Sequence, residues 1–124
     1  MKLAILSESP ADAAAVRILI DAILGEKTET LSFPLLSPPG WPAVRDVLSN
    51  VVKHLHYRTD ADALVVVVDS DNSPVHEQAH DEPGGIVDRC RVCLLRQTIR
   101  NTQAHLRQVA RQPPLKTAIG LAVH

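Results

Sequence analysis

Residues 63–71 read ALVVVVDSD, an apolar run that ends abruptly in acids. Six apolar residues, four of them valine, come without a polar interruption. Short β-branched runs of this kind are typical of strands buried on both faces, and such strands belong to parallel sheets covered by helices. The stretch therefore predicts the central strand of an α/β sheet.

The end of this run carries two carboxylates, Asp69 and Asp71. Open α/β sheets bind ligands at the carboxyl ends of their strands, and alternation along an extended chain points both side chains the same way. Two hard oxygen donors on one side suit Mg²⁺ or Mn²⁺. The competing interpretation is a turn or helix cap that closes the strand, since Asp, Asn and Ser all favour turns.

Composition limits the class of protein. A chain of 124 residues predicts a single α/β domain spanning residues 1–124. The formal net charge of −1 gives no overall basic field, and the three aromatic residues leave no base-stacking platform. No apolar run reaches the length of a membrane span or a signal peptide, so we expect a cytoplasmic protein with no membrane partner.

The remaining chain alternates strands with helices. Ser9 and Pro10 mark a helix start, Gly25 marks its end, and the apolar residues between them predict a heavily buried helix. Strands are predicted at residues 3–7, 28–36, 63–69 and 115–123, and helices at 10–24, 44–55 and 86–111. This alternation predicts a four-stranded parallel sheet with helices on both faces and strand order 2-1-3-4.

Glu8 follows the first strand directly. The strand order 2-1-3-4 would bring it beside Asp69 and Asp71, so three carboxylates would converge at one edge of the sheet. Like charges this close repel each other unless a cation or a trapped proton lies between them. The three acids therefore predict a divalent metal site.

A glutamate after the first strand and an Asp-x-Asp after a valine-rich third strand resemble the Toprim domain of topoisomerases, primases and overcoming-lysogenization-defect type nucleases. The resemblance extends by element order over nearly the whole chain, although Ser9 stands where the family usually has glycine. It implies Mg²⁺- or Mn²⁺-dependent phosphodiester chemistry on nucleic acid, most typically a nuclease. Glu8 would match the general acid/base, and Asp69 and Asp71 would match the metal-binding pair.

Two other functions remain open from the residues. A receiver-like phosphoacceptor domain also gathers acids after its first and third strands, although Lys116 here starts the last strand. A non-catalytic interaction module could retain the acids. Further metal ligands come only from nearby acids such as Glu77, Asp81 and Glu82. We therefore expect little activity from the isolated chain and a second copy or a partner protein that supplies the missing groups.

Five arginines recur at spacings of 7, 4, 7 and 4 in the predicted third helix: Arg89, Arg96, Arg100, Arg107 and Arg111. At about 100° per residue they would lie on one narrow stripe of that helix. Such a stripe is either a solvated face or a ridge that binds the phosphates of nucleic acid.

His76, His80, Cys90 and Cys93 are residue types that zinc uses as ligands. The two cysteines fall within the predicted helix 86–111, and no predicted helix carries the histidines. Ordinary packed or exposed thiols are the competing interpretation. The sequence leaves zinc binding open.

Overall fold

A computed structural model describes residues 1–69, 74, 76–86, 89–107 and 115–122. Asp71 and Arg111 lie outside the described residues, so the structure says nothing of their predicted roles. The described strands are β1 (Lys2–Ser7), β2 (Glu29–Thr30), β3 (Ala63–Asp69) and β4 (Lys116–Ala122). The described α-helices are α1 (Pro10–Leu24), α2 (Trp41–Arg58) and α3 (Arg91–Ala104).

The four strands form one parallel sheet in the order β2-β1-β3-β4, which confirms the predicted fold. Strand β3 pairs with β1 from Ala63 to Val67 and with β4 along its whole length. Strand β2 is much shorter than predicted because Pro34 begins a 3-10 turn, Pro34–Leu36, where a strand had been expected.

Two apolar layers flank the sheet. On one face Leu64, Val66 and Val68 of β3 pack with buried residues of α2 and α3. On the other face Val67, together with Leu3 of β1, packs against residues of α1. The alternation along β3 explains why this strand must be apolar on both sides.

Helix α1 begins and ends where the sequence predicts. The Ser9 hydroxyl accepts a hydrogen bond from the Asp12 N–H, Pro10 occupies the first turn, and Gly25 closes the helix at a φ of 69°. The prediction that α1 is heavily buried is wrong: no residue of this fully described helix is buried, and Ile18 is 72% exposed. Its outer side faces away from the sheet, with no helix packed on it among the described residues.

Helix α3 is shorter than the predicted helix 86–111. It begins at Arg91, after a turn in which Gly84 has a φ of 77°, and it ends at Ala104. Beyond its end, the backbone N–H of Arg107 donates to the Tyr57 hydroxyl and the Arg107 carbonyl lies 2.6 Å from His56 Nε2. These contacts with α2 take up backbone groups that a longer helix would have used.

In the described part of the chain, none of the helices combines the length and the apolar content needed to cross a membrane.

The two apolar layers lead to a prediction about the free energy of unfolding. Leu48 on α2 is fully buried, so Leu48→Ala should lower the free energy of unfolding by about 2–5 kcal/mol through lost burial and a cavity. Ile23→Ala on the exposed side of α1 is the matched control and should change it by less than about 0.5 kcal/mol. Urea denaturation measures both, and equal losses in the two variants would contradict the layer assignment.

Candidate functional site

The turn between β1 and α1 holds Glu8 against the end of β3. The buried Ser7 hydroxyl donates to the Ser9 carbonyl at 2.9 Å and accepts from the Ser9 N–H at 3.1 Å. Between these two anchored residues, Glu8 Oε1 accepts a hydrogen bond from the backbone N–H of Asp69 at 2.8 Å. The first and third strands thus bring two of the predicted acids, Glu8 and Asp69, to one edge of the sheet.

The Glu8 carboxylate keeps capacity for another partner. One hydrogen bond to Oε1 uses part of its acceptor capacity, because an ionised carboxylate offers about four lone-pair sites. The Asp69 side chain is half-buried at the same edge. Oxygen donors of this kind are compatible with a hard divalent cation.

An arginine outside the predicted stripe reaches this edge. Arg91 Nη1 donates to the Asp69 carbonyl at 2.6 Å, and its guanidinium lies 4.6 Å from the ring centre of Trp41. The stacking contact fixes a planar cation beside the acids. The sequence pattern missed Arg91 because the helix start had been expected at residue 86, which hid its position in the first turn of α3.

The predicted arginine stripe does not run along one helix. Arg96 and Arg100 lie on α3, whereas Arg89 precedes this helix and Arg107 follows it. Arg96 donates to Asp81 Oδ1 at 2.7 Å. Asp81, which the sequence offered as a further metal ligand, is thus paired with this arginine. Arg96 and Arg100 line a common cleft of about 390 Å³.

A second group of functional side chains lies at the start of α3. One ligand atom from each of four residues lies within 4.8 Å of the other three: His76, His80, Cys90 and Cys93. We call these residues the His/Cys cluster. Within it, His76 Nδ1 lies 3.4 Å from the Cys90 sulfur and 3.6 Å from the Cys93 sulfur. The cluster could hold a metal ion.

The correct start of α3 explains why the cluster forms. The sequence placed both cysteines within a helix spanning residues 86–111. In the structure Cys90 directly precedes the helix, whereas Cys93 lies in its first turn. Both thiols are buried, next to Ile119 and Leu121 of β4. His76 precedes a 3-10 helix, Gln78–Asp81, and His80 lies within it.

Contacts within the cluster also shift the pKa values of two of its members. The hydrogen bond with Cys90, helped by Asp81, raises the pKa of His76 against the opposing effect of burial. Burial disfavours the Cys90 thiolate, but hydrogen bonds from the Cys93 backbone and from the other cluster members outweigh it and lower the pKa of Cys90 to about 7. The thiolate is the form of cysteine that binds metals.

Comparison of the chain with protein-family models, curated proteins and solved structures found no match.

Proposed function

We propose that this chain contributes divalent-metal-dependent phosphodiester chemistry on nucleic acid, at the edge of the sheet that holds Glu8 and Asp69. The observation that carries the proposal is the 2.8 Å hydrogen bond between the Glu8 carboxylate and the Asp69 N–H. It supports a shared site because two acids 61 positions apart in sequence come from adjacent parallel strands. The Toprim resemblance agrees with this arrangement.

The roles of the residues follow from their chemistry. Asp69, with Asp71, would bind Mg²⁺ or Mn²⁺, and the bound ion would neutralise charge on a phosphate. Glu8 would accept the proton of the attacking oxygen or, when protonated, donate a proton to the leaving oxygen. Arg91 lies beside Asp69 and adds a fixed cation to the same edge.

The receiver-like alternative has less support. Lys116 pairs with Ala63, at the opposite end of β3 from Asp69. This lysine therefore cannot serve at the acidic edge in the way a receiver-type phosphoacceptor site would need. A non-catalytic module remains the second candidate, favoured by the exposure of Ile18 and Ile23 on α1.

Metal binding at the acidic edge should stabilise the folded protein. An ion at ten times its dissociation constant adds about 1.4 kcal/mol, so Mg²⁺ should raise the melting temperature by several degrees. Asp69→Asn and Glu8→Gln should reduce this rise. Glu29→Gln is the matched control, because Glu29 starts β2 and so lies at the opposite edge of the parallel sheet.

Differential scanning fluorimetry with increasing Mg²⁺ measures the effect, and Mg²⁺ is suitable because it does not compete for thiolates. A Glu29→Gln variant that loses the rise in melting temperature as fully as Asp69→Asn would refute binding at the acidic edge.

Incubation with single- and double-stranded DNA and RNA, in the presence of Mg²⁺ or Mn²⁺, should show weak or no cleavage by the chain alone. Any cleavage should disappear in both Glu8→Gln and Asp69→Asn.

Nucleic-acid binding should depend on the arginines of α3. Arg100 is exposed and lines the cleft, so Arg100→Ala should weaken binding and make the slope of log affinity against log salt shallower by about one. Arg58→Ala is the matched control, since Arg58 is exposed at the end of α2 that leads to the start of β3. Fluorescence anisotropy at several salt concentrations gives both slopes, and identical slopes for the two variants would leave the arginines as a solvated face.

A further inference from the structure

We propose that the His/Cys cluster is a tetrahedral zinc site that joins the segment after β3 to the start of α3. Its four ligands are His76, His80, Cys90 and Cys93. The site is separate in chemistry from the acidic edge, because imidazole and thiolate ligands select zinc whereas carboxylates select Mg²⁺.

The spacing of the ligand atoms fits zinc. Bond lengths of about 2.3 Å to sulfur and 2.0–2.1 Å to nitrogen, at tetrahedral angles, place a nitrogen and a sulfur ligand about 3.6 Å apart. His76 Nδ1 lies 3.4 Å from the Cys90 sulfur and 3.6 Å from the Cys93 sulfur. All four ligand atoms lie within 4.8 Å of one another, so an ion at their centre requires only a small contraction.

The contacts of His76 Nε2 favour metal binding by the other ring nitrogen, Nδ1. His76 Nε2 lies 3.0 Å from Asp81 Oδ1 and 3.3 Å from Arg96 Nη1. When Nδ1 binds the ion, Nε2 carries the ring proton and can donate it to the Asp81 carboxylate. The lone pair of Nδ1 then points toward the two sulfurs. Arg96 donates to the same Asp81 oxygen at 2.7 Å and holds the carboxylate in place. A carboxylate behind a ligating histidine is the usual outer partner of a zinc-bound imidazole.

The burial of the site indicates a structural role. Cys90 is 0% and Cys93 is 4% exposed, and four protein ligands fill a tetrahedral zinc without leaving a position for substrate. The ligands come from two segments, one before and one at the start of α3. The ion would therefore fix the first turn of α3, which also carries Arg91 and its 2.6 Å hydrogen bond to the Asp69 carbonyl.

Metal analysis of the complete chain tests the proposal. Protein purified under reducing conditions should contain one equivalent of zinc per chain, measured by inductively coupled plasma mass spectrometry. Replacement of the zinc by Co²⁺ should give the intense d–d bands of tetrahedral cobalt together with thiolate-to-cobalt charge-transfer bands. Removal of the metal by a chelator should lower the melting temperature, and added zinc should restore it.

Variants separate ligation from general damage to the fold. Cys93→Ser and His80→Ala should lose the zinc and change the cobalt spectrum, whereas His105→Ala, an exposed histidine outside the cluster, should keep one equivalent. Asp81→Asn should keep the tetrahedral spectrum but weaken zinc binding by about 10–100-fold. This graded loss distinguishes an outer partner from a ligand.

Three results would overturn the proposal. The first is wild-type protein that binds no zinc even when zinc is added to the reduced chain. The second is a cobalt spectrum without thiolate charge-transfer bands. The third is a stable Cys90–Cys93 disulfide that persists in place of metal in the presence of zinc and a reductant, which would assign the pair to redox chemistry.

Discussion

The parallel pairing of β1 with β3 is the constraint on which the rest of the structure depends. Because both strands run the same way in adjacent positions, the residues that follow them emerge at one edge. Glu8 therefore reaches the N–H of Asp69, and the short turn anchored by Ser7 leaves it little freedom to point elsewhere. An antiparallel arrangement of the same strands would have placed the two acids at opposite ends of the sheet.

The start of α3 links the two candidate sites. Cys90, Arg91 and Cys93 lie within four consecutive residues, and their side chains face different partners. The cysteines join the His/Cys cluster, whereas Arg91 extends to the Asp69 carbonyl and over Trp41. A metal that orders this turn would also hold Arg91 at the acidic edge. If both proposals hold, the zinc would stabilise this edge of the sheet and the acids would carry out the phosphodiester chemistry.

Much of the fold could be predicted from the sequence, because it is encoded in local patterns. The valine run identified β3, the Ser9–Pro10 start and the Gly25 stop identified α1, and strand–helix alternation gave the parallel order. The predicted burial of α1 failed because apolar residues all round a helix do not reveal how many neighbours cover it. The predicted length of α3 was wrong because the end of this helix depends on contacts of Arg107 with α2, which is distant in sequence.

The candidate site was predicted less completely, for a related reason. The convergence of Glu8 and Asp69 follows from strand order, so it could be inferred, whereas Arg91 and the His/Cys cluster depend on where α3 begins. A helix start at residue 86 places Cys90 and Cys93 within the helix, beyond its first turn, and does not reveal the cluster. A start at residue 91 brings the same four side chains together.

We propose that a divalent ion binds where β1 and β3 end, and paramagnetic broadening by Mn²⁺ is the most direct test of this site. The experiment uses zinc-saturated, isotope-labelled protein, so that Mn²⁺ does not enter the His/Cys cluster. At low Mn²⁺ we expect the backbone amide signals of residues near Glu8 and Asp69 to broaden first, while those of Lys2, Ala63 and Lys116 at the opposite edge stay sharp. Broadening that begins at the opposite edge, or that is uniform over the protein, would contradict it.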